Sequence, residues 1–176
     1  MARSYVHGYD PRESIRLQDQ ASTLAELLHS DTAYPAGSRV LEAGCGVGAQ
    51  TVSLARNSPD AFITAVDVAA DSLAEAKARV EAEGCVNASF RQADIFALPF
   101  GPDSFDHIFV CFVLEHLSRP VEALQALGRV LRAGGTITAT RPRSQAGLAT
   151  GNRPALPNRT GNLTALVGQA GGRAAH

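Results

Sequence analysis

The chain has 176 residues, of which 45% are hydrophobic, and a formal net charge of −1. This length suits one domain with a substantial core, and the near-neutral charge argues against a dedicated nucleic-acid-binding protein. No apolar run approaches the length of a membrane span, and no signal-peptide segment opens the chain, which predicts a cytoplasmic protein. The three cysteines, Cys45, Cys85 and Cys111, are odd in number and far apart, so we expect reduced thiols rather than disulfides or a metal site.

The N-terminal segment, residues 1–37, has two parts. Its first 14 residues lack periodicity but contain two tyrosines and His7. They are either a frayed terminus or a lid whose aromatic rings exclude water from a ligand. Apolar residues at positions 17, 21, 24 and 28 predict a helix over about residues 12–29, and Tyr34–Gly37 predicts a turn.

Residues 40–51 are the most informative stretch. An apolar strand over 38–43 leads into three alternate glycines and then into a helix over 49–57. Alternate glycines let the backbone turn sharply and bring bare peptide against a ligand, towards which the helix directs its N-terminal N–H groups. Glu42 precedes this turn, where a carboxylate can meet a cation.

A second strand–helix unit follows. Residues 61–66 predict a strand that ends at Asp67, and the capping-box pattern of residues 72–75 predicts the start of a helix. Gly84 is placed to end that helix. Its buried stripe is predicted to be Leu73, Ala76 and Val80.

The third and fourth strands are also short and end in distinctive residues. Residues 88–92 predict a strand that ends at Asp94, and the almost wholly apolar residues 105–112 predict the next. The chain leaves this fourth strand through residues 113–117.

The last strand–helix unit is predicted to begin with Ser118 as a helix cap and Pro120 in the first turn. Gly134-Gly135 is expected to end this helix, and residues 136–140 predict a fifth strand. The residues expected to face inward are Val121, Leu124, Leu127 and Leu131.

Strand and helix alternate five times, which predicts an open, doubly wound α/β fold with a mainly parallel sheet. Ligands of such sheets bind beyond the carboxyl ends of the strands. Glu42, Asp67, Asp94 and Cys111 stand at those ends, so we expect them to converge on one site.

The glycine spacing leaves two cofactor classes open. Gly44-x-Gly46-x-x-Ala49 with Asp67 about 20 residues later also satisfies the dinucleotide fingerprint, and Asp67 would accept from ribose hydroxyls in NAD or in any adenosine cofactor. Glu42 favours a cationic amino-acid group over a pyrophosphate, and Asp94 is placed to accept from an adenine amino group. An NAD(P)-dependent oxidoreductase would leave both carboxylates without a role.

Six segments together carry a resemblance to a known family: Val40–Gly48, Val66-Asp67, Gln92–Ile95, Ser104–Asp106, Val113–Leu117 and Arg129–Thr136. Over about residues 38–140 the chain resembles a class I S-adenosylmethionine-dependent methyltransferase of the small-molecule type, related to the enzymes of ubiquinone and menaquinone biosynthesis. The resemblance implies S-adenosyl-L-methionine as cofactor and methyl transfer to a small or medium organic acceptor.

The resemblance also assigns a cofactor site. It places the methionine part against the main chain from Glu42 to Gly48, the ribose at Asp67, the adenine at Asp94 and Ile95, and the sulfonium beside Cys111. The full predicted set is Glu42, Ala43, Gly44, Cys45, Gly46, Val47, Gly48, Asp67, Val68, Asp94, Ile95 and Cys111.

Methyl transfer depends mainly on bringing the acceptor in line with the methyl group and excluding water. His116, beside Glu115, is the candidate general base, and the alternative is that His116 merely caps the turn after the fourth strand. His7 is a weaker candidate. Cys111 has no neighbour in the sequence that would activate it as a nucleophile.

The last 36 residues, 141–176, differ from the rest. All 17 acidic residues and 11 of the 16 basic ones precede them, so the first 140 residues carry a net charge of −6 and the tail +5. This composition predicts a disordered tail instead of the C-terminal hairpin that the family adds to its sheet. We expect either a truncated or frameshifted end or a natural basic tail. The fifth strand would then be an exposed edge, and the alternative function is a domain that binds the cofactor without turnover.

Overall fold

The computed structural model describes residues 32–140 and the backbone of a strand at 163–166. The predicted lid, the predicted helix over 12–29 and His7 lie outside the described residues. In chain order the elements are β1 (Arg39–Ala43), α1 (Ala49–Asn57), β2 (Phe62–Asp67), α2 (Ala70–Ala82), β3 (Ala88–Gln92), β4 (Phe105–Cys111), α3 (Pro120–Val130), β5 (Leu131–Thr140) and β6 (Leu163–Leu166).

The strands form one sheet in the order β3-β2-β1-β4-β5-β6, and the first five run parallel. The predicted doubly wound α/β fold is therefore confirmed. The order reverses between β1 and β4, so the connections that follow these two strands run to opposite faces of the sheet at its carboxyl edge. This switch point is where ligands of such sheets bind. None of the helices among the described residues is long and apolar enough to cross a membrane.

Helices cover both faces of the sheet. On one face Leu54 and Ala55 of α1 pack against Val40, Ile63 and Phe109. On the other face α3 packs against β1 and β4, and the buried residues of that cluster include Leu41, Ala43, Ile95, Ile108, Val110, Ala123, Leu127 and Val130. Alternate residues of each strand thus enter opposite layers.

Two predicted helix starts are wrong. α2 begins at Ala70, and its N-cap residue is Ala69, so Ser72 lies within the helix and caps nothing. α3 is preceded by Arg119 as N-cap residue, without a side-chain capping bond, rather than by Ser118. The predicted stripe of α2 is confirmed, because Leu73, Ala76 and Val80 are buried.

The predicted inward face of α3 is partly wrong. Leu127 is fully buried, but Val121 keeps 66% of its surface exposed and Leu124 36%. Small residues replace them in the core, namely Ala123 and Ala126 with Val130. The helix also ends at Val130, so Leu131 is buried within β5 and not on the helix.

β5 is longer than predicted because Gly134 and Gly135 belong to it rather than ending the helix. A Cβ atom at Gly135 would lie 2.7 Å from the carbonyl oxygen of Asp106, so a glycine is required where β5 passes β4.

The sixth strand corrects a further expectation. β6 pairs antiparallel with β5, from Thr136 opposite Leu166 to Ala139 opposite Leu163. The tail predicted to lack secondary structure therefore contributes one strand, and the edge of β5 expected to be exposed is paired over four residues. The remaining residues after 140 lie outside the described part of the chain.

Candidate functional site

The glycine loop, residues 44–48, connects β1 to α1 at the carboxyl edge of the sheet. Its three glycines all have positive φ angles, +79° at Gly44, +51° at Gly46 and +79° at Gly48. Residues that carry a Cβ atom adopt such angles only with strain, which explains the alternate glycines in the sequence.

The space around the three glycines differs. A Cβ atom at Gly44 would lie 2.5 Å from Val113 Cγ2, and one at Gly48 would lie 2.8 Å from Ala76 Cα in α2. A Cβ atom at Gly46 would meet nothing within 4 Å. Gly44 and Gly48 therefore serve packing, whereas Gly46 leaves open space over the loop where a ligand can approach the backbone.

The loop's own N–H groups are largely used within the protein. The amides of Gly44 and Cys45 both donate to the carbonyl oxygen of Val66, at 2.8 and 3.0 Å, and that of Gly48 donates to the carbonyl oxygen of Cys45 at 3.0 Å. These bonds tie the loop to the end of β2. The prediction that the following helix directs its N-terminal N–H groups at a ligand concerns the first residues of α1, and these loop bonds do not test it.

Asp67, at the end of β2, braces the loop with its carboxylate. Its Oδ2 atom accepts a hydrogen bond from the Gly46 amide at 2.9 Å, and Oδ1 accepts one from the Ala69 amide at 3.0 Å. The side chain remains half-buried, and each carboxylate oxygen has a second lone pair. Asp67 can thus hold the loop and still accept hydrogen bonds from hydroxyl groups of a ligand. The neighbouring Val68, also predicted to bind the cofactor, has 62% of its surface exposed.

Glu42, the penultimate residue of β1, is 2% exposed and lies in the buried layer between the sheet and α1. Its Oε2 atom has no hydrogen-bond partner among the described residues. Burial raises the pKa of Glu42 to about 8; the nearby Thr51 hydroxyl opposes this rise, and the charge of Asp67 adds to it. A buried carboxyl group without a partner is an incomplete site for a hydrogen-bond donor or a cation.

Asp94 and Ile95 follow β3 and differ in accessibility. The exposed Asp94 caps the 3₁₀ turn Ile95–Ala97 by accepting from the Phe96 amide at 2.9 Å. Ile95 is only 7% exposed and packs in the core, so its side chain offers little surface to an adenine. Ala43 and Cys45 are likewise buried, at 0% and 3% exposure. Any ligand contact at these three positions would fall mainly on the main chain.

The end of β4 supplies Cys111, which is half-buried near Glu42. Burial raises the pKa of its thiol to about 12, and the charges of Glu42 and Glu115 add to the rise. Burial also raises the pKa of the Cys45 thiol, with contributions from Glu42 and Asp67. Both groups are therefore thiols at neutral pH, which disfavours them as nucleophiles.

His116 lies in the 3₁₀ turn Leu114–His116 that follows β4, with its side chain exposed. Its main-chain N–H donates to the carbonyl oxygen of Val113 at 3.0 Å, and this bond closes the turn. No cluster of three His, Cys, Asp or Glu side chains suited to a metal ion occurs among residues 32–140.

Sequence reasoning missed two residues beside Glu42, namely Tyr34 and Thr51. Thr51 in α1 is fully buried, and its hydroxyl has no hydrogen-bond partner in the described part of the chain. Tyr34, predicted only as part of a turn, stacks on His107 with ring centroids 5.0 Å apart, and its hydroxyl is also buried without a partner. The Tyr34 amide donates to the Ser58 hydroxyl at 2.9 Å, a contact between residues 24 apart in the chain that no local pattern reveals.

The glycine loop, the buried Glu42 and the strand-end Asp67 stand together at the switch point of a doubly wound sheet. This combination defines a class I S-adenosylmethionine-dependent methyltransferase fold. The chain matches the family described as "Methyltransferase domain" over residues 40–135, which is more than half of its length. The protein therefore belongs to the methyltransferase domain family.

Curated relatives agree with this assignment. Methyltransferase GfsG of Streptomyces halstedii is 34% identical over 134 residues, which cover 74% of this chain and 48% of that protein. The ubiquinone/menaquinone biosynthesis C-methyltransferase UbiE of Bdellovibrio bacteriovorus is 29% identical over 102 residues, covering 58% of this chain and 43% of that protein. The chain spans about half or less of the length of the curated relatives it matches.

Solved structures share the fold. A S-adenosylmethionine-dependent methyltransferase from Aquifex aeolicus superposes with a TM-score of 0.65 at 22% identity, covering 80% of this chain and 78% of that one. The [4+2]-cyclase SpnF superposes with a TM-score of 0.61 at 29% identity, covering 70% and 45%.

S-adenosylmethionine, the cofactor of this class, fits the residues present on two observations. Gly46 leaves open space over the loop where a Cβ would stand, and the buried Glu42 Oε2 lacks a partner that a cationic amino group can supply. The family match also favours this cofactor over the dinucleotide alternative, for which Glu42 has no role.

Proposed function

We propose that the domain transfers the methyl group of S-adenosylmethionine to a small or medium organic acceptor by in-line displacement. The observation that carries the proposal is the pairing of an open Gly46 with an unpartnered, buried Glu42 at the switch point. When bound, the cofactor supplies a methyl group already activated on a sulfonium, so the protein's task is to hold the cofactor, to orient the acceptor and to exclude water.

Within this proposal each residue has a limited task. Glu42 takes the cationic amino group, and the half-buried Asp67 accepts from the ribose hydroxyls while it braces the loop. Asp94 accepts from the adenine amino group beside the main chain of Ile95. The apolar surroundings of Cys111 border the position of the sulfonium.

The proposal assigns His116 the role of a general base only for an acceptor that arrives protonated. Its exposed position in the turn after β4 supports this restricted role. The proposed acceptors carry a nucleophilic oxygen or carbon, because relatives have names such as 27-O-demethylrifamycin SV methyltransferase and ubiquinone/menaquinone biosynthesis C-methyltransferase.

The test separates binding from turnover. Calorimetric titration of the 176-residue chain with S-adenosylhomocysteine is expected to show binding in the micromolar range, and NAD is expected not to bind. Transfer of radiolabelled methyl to a panel of hydroxylated polyketides and quinols would then identify an acceptor. A folded chain that does not bind S-adenosylhomocysteine would refute the cofactor assignment.

Binding without methyl transfer is the second candidate. A structural neighbour at 29% identity is the [4+2]-cyclase SpnF, so this fold is not restricted to proteins named as methyltransferases. Affinity for S-adenosylhomocysteine with no labelled product from any acceptor of the panel would favour this candidate.

A further inference from the structure

The layer between the sheet and α1 contains three buried oxygen atoms without hydrogen-bond partners among the described residues. They are Tyr34 Oη, Glu42 Oε2 and Thr51 Oγ1. Buried polar atoms are nearly always paired, so three exceptions in one layer call for an explanation.

The pairing register places these groups around Glu42. Glu42 lies opposite Phe109, and Phe109 lies opposite Thr138, so the three form one row across β1, β4 and β5. One row below, Val40 pairs with His107, on which the Tyr34 ring stacks at 5.0 Å. The Tyr34 side chain thus covers the sheet directly beside the Glu42 row.

The same contacts join the groups electrostatically. The Thr51 hydroxyl opposes the rise in the pKa of Glu42 that burial causes. Burial raises the pKa of Tyr34, the Thr138 hydroxyl opposes this rise and the Glu42 charge adds to it. Tyr34 therefore remains a neutral hydroxyl that can donate a hydrogen bond to a carboxylate.

We propose that Tyr34 and Thr51 are positioning residues that orient the Glu42 carboxylate and stabilise its charged form for the cationic amino group of the ligand. This inference rests on the proposed function, since it concerns the same carboxylate. Neither hydroxyl makes a hydrogen bond to Glu42 in the structure, so a shift of the side chains must precede donation to the carboxylate. An ammonium group offers the remaining donors. Neither residue touches the reacting atoms.

Other titratable groups in the layer around Glu42 are Asp67 at the end of β2, Cys45 in the glycine loop, Cys111 at the end of β4 and His107, one row below in β4. The two thiols are neutral at neutral pH, and Asp67 is common to the protein and its variants. Changes confined to Tyr34 or Thr51 therefore report on the Glu42 charge.

The experiment is calorimetric titration with S-adenosylhomocysteine from pH 6 to 9, in buffers of different ionisation enthalpy. The wild-type protein is expected to release nearly one proton on binding at pH 7, because Glu42 must ionise. In Tyr34→Phe and Thr51→Val, affinity at pH 7.5 is expected to fall about three- to tenfold, and the difference is expected to vanish near pH 9. Thr51→Ser, which keeps the hydroxyl, should restore the wild-type profile.

Thr64→Val is the matched control, because Thr64 lies opposite Leu41, on the face of the sheet away from Glu42, and its hydroxyl meets that of Ser89 at 3.5 Å. If Thr51→Val does not fold, Thr51→Ala and Thr51→Ser provide the same comparison. Wild-type pH profiles in both Tyr34→Phe and Thr51→Val would overturn this inference but would leave the proposed function standing. Failure of the folded wild-type protein to bind at every pH would instead overturn the proposed function.

Discussion

Gly46 and Gly48 offer a sharp test of the glycine loop, because both have positive φ but only one has room for a side chain. Placing alanine in the left-handed region costs about 1–2 kcal/mol, partly offset by about 0.4–1 kcal/mol from the stiffer unfolded chain. We therefore expect Gly46→Ala to lower the free energy of unfolding by about 1 kcal/mol.

Gly48→Ala is expected to cost more. Its Cβ atom would lie 2.8 Å from the Cα atom of Ala76 and 3.1 Å from the Ala76 carbonyl oxygen. Backbone cannot yield as a flexible side chain does, so α1 and α2 must separate, at a cost of about 1–3 kcal/mol beyond the φ strain. The expected total is about 2–4 kcal/mol.

Urea unfolding followed by circular dichroism measures both values, and titration with S-adenosylhomocysteine measures binding. Gly46→Ala is expected to lose at least tenfold in affinity despite its small loss of stability, because its methyl group occupies the open space over the loop. Equal losses of stability in the two variants would refute the packing argument. Unchanged affinity in Gly46→Ala would refute the placement of the ligand.

Asp67→Ala removes the acceptor of the Gly46 and Ala69 amides, so we expect about 2 kcal/mol less stability by urea unfolding and at least tenfold weaker binding of S-adenosylhomocysteine by calorimetry. Retained affinity would contradict the ribose assignment. Glu42 has a folded-state pKa raised from 4.5 to about 8, so its contribution to stability, about 5 kcal/mol, is lost as pH rises between these values. Glu42→Gln should remove this slope in urea unfolding from pH 5 to 9, and a slope unchanged in that variant would assign it to another group. His116→Ala should leave affinity unchanged and lower labelled-methyl transfer less than tenfold, whereas a loss of about 100-fold or more would identify a general base.

The sequence predicted the parallel sheet well because each buried strand is a short apolar run that ends in a distinctive residue. It located the glycine loop, Asp67 and Glu42 for the same reason, since glycines and carboxylates at strand ends stand out in a local pattern. The loop's hydrogen bonds were not predictable, because the Gly44 and Cys45 amides meet Val66, which is distant in sequence.

The errors arose where packing overrides local signals. Ala123 and Ala126 join Leu127 and Val130 on the buried face of α3, whereas Val121 and Leu124 are exposed, so the size of an apolar side chain did not identify the face that packs on the sheet. The strand at Leu163–Leu166 was missed because its pairing comes from the free edge of β5 and not from its own composition.

The bonds that Asp67 and Val66 make to the glycine loop have a consequence for the thermodynamics of recognition. The loop is held in shape before any ligand arrives, since its ordering is completed when β2 joins the sheet. Conformational entropy is thus lost during folding and not during association, so the site is preorganised. Affinity then depends on the integrity of β2, and substitutions that loosen this strand should weaken recognition even when they lie away from the ligand.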